Sequence, residues 1–410
     1  MNSMSLIQTH FRKLKADVGK DRLSFLSSIT MGHFAVHWYH NMLFLALPFI
    51  KEDLKLTDIQ IGIIVTVYTA SNGTFILISG FLADSFRRKG TIIVSSALVS
   101  FGIGLFVIGI APSYIWILIG AGMIGLATAL WHPPAMRALS LQFPNHRGTA
   151  LAIHGMGASL GDSLGPIVVG AIIVTMNWTL AMELHLIPAL IIAFFLWRSL
   201  NIMRETDADK TTIQTYITGI RSLFSNKQIL AIMTSNSLIQ ISRLSMLAFF
   251  PIYIKETLNY SAFALGIYLA LLYAMGIVSQ PIMGLLSDRM GRKKILVPSF
   301  TLMGLCYISI VVAPVGISLA LIIGVLGMFF YAILNVTQSA IMDVSPKEVQ
   351  ASTMSAMSLF SQPFIFGSPI LAGYLVTVFG IKSSFLYAGV TAFLAVVTLL
   401  PVRFQRTLYN

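Results

Sequence analysis

The sequence predicts an all-α polytopic membrane protein, with twelve transmembrane helices arranged as two pseudo-symmetric six-helix bundles. Three observations carry this. The 410 residues are 56% hydrophobic and 10% charged, whereas a soluble surface needs roughly a quarter of its residues charged, so a water-soluble protein is excluded. Apolar runs of the roughly 20 residues that cross a bilayer recur along the whole chain and leave little for any soluble domain. The chain also resembles itself at a fixed offset, the mark of a duplicated unit.

Apolar runs bounded by charges, Pro and Gly place six spans at 24–48, 59–83, 90–110, 115–138, 148–175 and 178–199. Six more follow at 228–254, 262–286, 295–314, 316–342, 351–378 and 382–402. Twelve spans put both termini on one side. If that side is the cytoplasm, 21 basic residues lie inside, from Arg12 to Arg406, against Lys51, Lys55, Lys255 and Lys382 outside. Such an asymmetry sets orientation by the positive-inside rule. It also accounts for the net charge of +12 through lipid contact and topology, with no nucleic-acid partner. Residues 1–22 lack an apolar core and a cleavage site and read as a cytoplasmic tail. The single Cys306 excludes an intramolecular disulfide or a multi-cysteine metal cluster.

An offset of 204 residues aligns Lys51 with Lys255, Glu52 with Glu256, Leu54 with Leu258, Gly62 with Gly266, Gly80 with Gly284, Leu82 with Leu286, Asp84 with Asp288, Arg88 with Arg292 and Lys89 with Lys293. The expected organisation is a tail at 1–22, a first bundle at 23–200, a linker at 201–225 and a second bundle at 226–410. In the linker, Ile213, Tyr216, Ile217, Ile220, Leu223 and Phe224 fall at helical spacing, consistent with an amphipathic helix on the inner membrane face.

The repeated segment reads Gly80-Phe-Leu-Ala-Asp84-Ser-Phe-Arg87-Arg88-Lys89 and Gly284-Leu-Leu-Ser-Asp288-Arg289-Met-Gly291-Arg292-Lys293. It resembles the Gly-x-Leu-x-Asp-Arg-x-Gly-Arg-Lys loop of the major facilitator superfamily, and the resemblance extends over the whole chain. The first copy departs from the pattern at Ser85 and Arg87. The resemblance implies a latch between bundles built from Gly80, Asp84, Arg88, Gly284, Asp288 and Arg292; plain anchoring of the basic residues at the membrane is the alternative. Gly161-Asp-Ser-Leu-Gly165-Pro166-Ile-Val-Val-Gly170 in span 5 is similar to the antiporter motif of drug-exporting members, with Val169 in place of one Gly. Ordinary tight packing, which small residues four apart also serve, is the other reading. Trp131-His132-Pro133-Pro134 followed by Arg147-Gly148 resembles the fosmidomycin-resistance branch. The Arg usual in the middle of span 4 of drug exporters is absent, with Ala121 and Ile124 in that region.

Ionisable groups at bilayer depth are costly and mark function. Asp162, Glu183 and Arg243 lie inside spans, as do His33, His37, His40, His132, His154 and His185. His33, His37 and His40, spaced i, i+4, i+7, share one face of span 1. An offset of 203, anchored by Pro48 and Pro251, maps them onto Asn236, Gln240 and Arg243 of span 7, and maps His132 onto Asn335. The family resemblance puts spans 1, 4, 7 and 10 around a central cavity, with Tyr39, Asn41, Tyr273, Gln280, Gln338 and Gln362 as further liners. Simple hydrogen bonding to a backbone carbonyl is the competing reading for His132, His154 and His185, and a structural role for Glu183. Asp162 and Arg243, both near mid-membrane by the 1.5 Å rise per residue, are expected either to form an ion pair or to exchange Arg243 to an anionic substrate when Asp162 is protonated.

No enzyme is expected. Gly120-Ala-Gly122-Met-Ile-Gly125 matches a dinucleotide-binding pattern but lies inside an apolar helix, and neither a phosphate-binding loop nor an ATPase domain is found. The remaining energy source is an ion gradient, and His and a desolvated carboxylate both titrate near neutrality. The sequence therefore points to a proton-coupled exporter of a small polar or anionic molecule, monomeric, in the inner membrane, without a cofactor. Protons would be carried by Asp162, His33, His37, His40 and Glu183. Substrate would meet Arg243, His132, His40, Asn41, Asn236, Gln240, Asn335, Tyr39, Tyr273 and Gln362. The alternatives are an uptake symporter for a nutrient or siderophore-like anion, and a transition-metal transporter using the histidines of span 1. For the latter, three His on one helix without acids nearby make an incomplete site, and no metal ligand set is assigned.

Overall fold

The computed structural model describes residues 3–85, 90–143, 147–200, 224–345 and 350–404. Arg88 and nearly all of the expected linker helix lie outside the described residues, and the side chains of Gly80, Asp84 and Arg147 are likewise not described. The described residues are helical almost throughout. Span 1 is Ser3–Asp53, span 2 Asp58–Ser85, span 3 Gly90–Gly109, span 4 Tyr114–Gln142, span 5 Arg147–Thr175 and span 6 Trp178–Leu200; span 7 is Lys227–Thr257, span 8 Ala262–Met290, span 9 Arg292–Val312, span 10 Ile317–Val344, span 11 Gln350–Phe379 and span 12 Lys382–Leu399.

Among the described residues, eleven helices are long and apolar enough to cross a membrane, and span 1 is the one left out. Its length is ample, at 51 residues; what it lacks is apolarity, because His33, His37, His40 and Asn41 interrupt its middle. Gly19, with φ 75°, breaks the helix between the tail and the membrane-spanning part, a conformation that costs glycine little. Spans 6 and 10 are each two helices in line, interrupted at His185 and Tyr331. Span 7 ends in a π turn, Tyr253–Thr257, two residues beyond Pro251.

Surface polarity is inverted relative to a soluble protein. Phe194, Phe195, Val312, Ile317 and Leu321 are exposed, whereas Asp162, Arg243, Asn41 and Asn236 are buried, as a lipid solvent requires. Span 7 is 83% buried and span 6 only 33%, so the first is central and the second faces lipid.

Each half packs internally, spans 1 with 5 and 2 with 4 in the first, spans 7 with 12 and 9 with 12 in the second. The halves meet chiefly where span 5 packs on span 8 and span 2 on span 11. These seams lie toward the face opposite the chain termini, and glycines make them possible. A Cβ added at Gly62 would sit 2.2 Å from the Pro369 carbonyl oxygen, and one at Gly266 2.2 Å from that of Pro166. Gly373 and Gly170 stand the same way against the carbonyls of Asp58 and Ala262, at 2.4 Å each. The four contacts form two pairs related by the internal repeat.

Candidate functional site

The histidine stripe of span 1 is real, but its three members reach three different neighbours. His33 Nδ1 lies 2.9 Å from the backbone oxygen of His154 on span 5, and the two imidazoles stack with centroids 3.9 Å apart. His37 Nδ1 pairs with Asp162 Oδ1 at 2.9 Å, and Asn41 Nδ2 donates to the same oxygen at 2.6 Å. His40 Nε2 meets the Tyr68 hydroxyl of span 2 at 2.8 Å. From span 4, His132 bonds the Thr128 carbonyl through Nδ1 at 2.9 Å, the backbone bond considered above, and still turns its ring edge-on to His33 and His37. Trp131 is fully buried and stacks beside His33 and His154. One cluster thus gathers four histidines and a carboxylate from spans 1, 4 and 5.

Tight helix contact brings these groups together. Gly161, one residue before Asp162, abuts the Phe34 carbonyl of span 1, and Gly165 lies against Trp38. The motif of small residues in span 5 therefore serves packing within the bundle. Pro166 and Gly170, its other members, form the seam with span 8.

Arg243 does not pair with Asp162, which corrects one of the two arrangements expected. Its Nη1 donates to Gln240 at 2.8 Å, and its guanidinium lies 4.5 Å from the Phe330 ring and 4.7 Å from that of Tyr331. No carboxylate pairs with it among the described residues, and its Nε has no partner. Tyr331, stacked under the guanidinium, in turn packs against Tyr273 of span 8 with ring centroids 5.7 Å apart. The Tyr273 hydroxyl, buried there, is unpartnered.

The expected liners take different partners. Tyr39 is packed inside the first bundle against Phe101 and His185, because its position points off the stripe. Asn236 turns to Ser361 of span 11 at 3.4 Å. Asn335 donates to Gln280 at 3.0 Å, Gln338 is exposed, and Gln362 presses on Gly73 across the seam between halves. Glu183 lies beside Gly109 of span 3 and does not join the cluster. His185 is a structural histidine: Nδ1 donates to the Ala181 carbonyl and Nε2 accepts from Trp38.

Of the expected latch, only the second copy lies among the described side chains. Arg292 binds Asp288, Ser287 at 2.7 Å and Asp343 of span 10 at 2.7 Å. Among the described residues these partners all belong to the second bundle, so this copy staples spans 8, 9 and 10. Gly284 has open space around it. Contacts that do bridge the halves are Lys51 with Glu256 at 2.8 Å and Lys255 with Glu52 at 3.6 Å. The repeat had aligned these residues without suggesting that they pair crosswise. Tyr68, Phe330 and Tyr331 were missed as well. Tyr331, four residues before Asn335, was legible as a neighbour on that face, but nothing in the sequence joins Tyr68 to His40.

Comparison with known proteins agrees with this architecture. An uncharacterised MFS-type transporter, YhcA, of Bacillus subtilis (strain 168) is 27% identical over 209 residues, 50% of this chain and 39% of that one. The fosmidomycin resistance protein of Escherichia coli (strain K12) is 24% identical over 160 residues, 38% of this chain and 39% of that one. The chain thus spans about two fifths of the length of these two curated relatives. In three dimensions, a bacterial homologue of the human lysosomal transporter Spinster, in an inward-facing and unoccupied conformation, superposes with a TM-score of 0.73 at 16% identity, over 94% of this chain and 96% of that one. A profile of the Major Facilitator Superfamily matches residues 29–366 and again 278–407. The chain belongs to the Major Facilitator Superfamily.

Proposed function

We propose that this transporter exports a small anionic organic molecule in exchange for protons, from the cytoplasmic side of an inner membrane in which both termini are cytoplasmic. The observation that carries the reading is the division of charge between the bundles. The first holds a buried carboxylate bound to an imidazole, Asp162 with His37. The second holds Arg243, caged by aromatic rings and without a carboxylate partner among the described residues. A buried guanidinium without a counter-ion is costly, and a carboxylate or phosphate of a substrate supplies that counter-ion through paired N–H donors.

Asp162 and His37 supply the complementary part. Their hydrogen bond positions a proton between a carboxylate and an imidazole, and neutralising the pair changes the buried charge of the first bundle. Each proton crossing the membrane field contributes about 2.3 kcal/mol per 100 mV. The basic residues grouped on the termini side support cytoplasmic termini, and the glycine seams then close the outer side. Export is favoured by the similarity of span 4 and span 5 motifs to resistance proteins. The chain acts as a monomer in this reading.

The test is counterflow and pH-driven flux of organic anions in proteoliposomes of defined orientation. Flux driven by an inward proton gradient, abolished by a proton ionophore and by Asp162→Asn, is the expected result. Flux indifferent to both sinks the proton coupling. Accumulation in the direction of proton entry replaces export by uptake.

A further inference from the structure

We propose that His33, His37 and His132 form a binding site for a divalent transition-metal ion such as Zn2+, with Asp162 as the outer carboxylate that orients His37. The site does not depend on the anion reading. One ring nitrogen from each of the three histidines lies within 4.8 Å of those of the other two. Their Nδ1 atoms are committed elsewhere. His33 Nδ1 faces the His154 carbonyl and His132 Nδ1 the Thr128 carbonyl; a carbonyl oxygen only accepts, so both nitrogens carry hydrogen. His37 Nδ1 is bound to Asp162. In each ring the lone pair is therefore left on Nε2, which is the ligand form of a neutral imidazole.

Two details fit a metal better than packing. His33 Nε2 is buried without any hydrogen-bond partner, on a residue only 8% exposed; an acceptor in that state costs roughly 1–3 kcal/mol. The Asp162–His37 bond also reproduces the carboxylate–histidine arrangement that fixes the tautomer and raises the basicity of metal-bound histidines. Tetrahedral coordination at about 2.0–2.1 Å needs nitrogens about 3.3 Å apart, so the three rings must draw together from within 4.8 Å when the ion binds. Three histidines leave a fourth position for water or a substrate donor. His40 and His185 fall outside this group: Tyr68 takes up the Nε2 of His40, and both ring nitrogens of His185 are bonded. The ligand set is thus two residues of span 1 and one of span 4, not the row of three on span 1, and the acid that row lacked comes from span 5.

Untagged full-length protein in detergent, titrated near neutral pH with Co2+ by its visible absorption and with Zn2+ by calorimetry, tests this. One ion per chain with a tetrahedral cobalt spectrum is expected. His33→Ala and His132→Ala should each weaken binding at least tenfold, and Asp162→Asn by about 10–100-fold, while His185→Gln leaves it unchanged. If an alanine variant does not fold, His132→Gln replaces it, with the Zn2+-induced rise in melting temperature as readout. The proposal is overturned if the wild type binds no ion, or if a folded variant lacking both His33 and His132 binds as the wild type does. Proton-driven flux plays no part in these readings, so the two hypotheses fail separately.

Discussion

Asp162 receives two hydrogen bonds on one oxygen, from His37 and Asn41, which hold the carboxylate at one fixed place inside the membrane. Replacing it with Asn keeps the shape and removes the ability to gain and lose a proton. Under the proposed mechanism, Asp162→Asn should cut uphill flux at least tenfold while leaving substrate binding, read by ligand-induced thermal shift, largely intact. Arg243 makes a complementary prediction. Its planar guanidinium lies against Phe330 and Tyr331, and Lys cannot reproduce stacking and paired donation together. Charged hydrogen bonds contribute about 1.5–3 kcal/mol, so Arg243→Gln should weaken anion affinity by about 10–100-fold, and Arg243→Lys should rescue only part of it. Equal affinity in wild type and Arg243→Gln would remove Arg243 from the site.

At the level of helices, glycine decides which spans approach. Gly62 and Gly266 face prolyl carbonyls so closely that any Cβ would collide with backbone, which cannot swing aside as a side chain does. Gly62→Val and Gly266→Val should therefore open the face opposite the termini, seen as greater thiol labelling of cysteines placed along spans 2 and 8. Gly155, with nothing within 4 Å, provides the control: Gly155→Ala should leave labelling unchanged. Among the described residues the Arg292 cluster holds spans of one bundle, and span 10 contributes to it. Asp343 supplies its third partner, whereas the repeat puts Ser140 at the corresponding place in span 4. The two copies of the motif are thus chemically unequal even where their letters agree.

Over the whole molecule, the duplicated halves meet through reciprocal contacts. Lys51 reaches Glu256 and Asp58, and Lys255 reaches Glu52, so the two Lys-Glu pairs exchange partners across the pseudo-two-fold. Each pair is partly exposed, and such pairs contribute about 0.2–1 kcal/mol, enough to bias a two-state equilibrium without locking it. Glu256→Lys should shift spin-label distances across this face toward the open state by a few-fold in population, and Lys51→Glu added to it should restore them. Restoration absent from the double variant would show that the glycine seams alone set the closed state.

Much of this was legible in one dimension. The membrane class, the spans and the two halves follow from hydropathy and a repeated pattern, quantities that depend only on local sequence. So does the depth of Asp162, Arg243 and the histidines. Even the weak apolarity of span 1 was written in His33, His37, His40 and Asn41. What the sequence could not determine was the rotation of each helix and the neighbour it meets. His33, His37 and His40 share one face, yet they end against span 5, Asp162 and Tyr68 respectively. Tyr39, one residue off that face, is lost to the bundle interior. Spacing along a helix sets which side chains stand together, but only the packing of one helix against several others, through glycines that admit backbone contact, decided that His132 and Asp162 would complete a cluster begun on span 1.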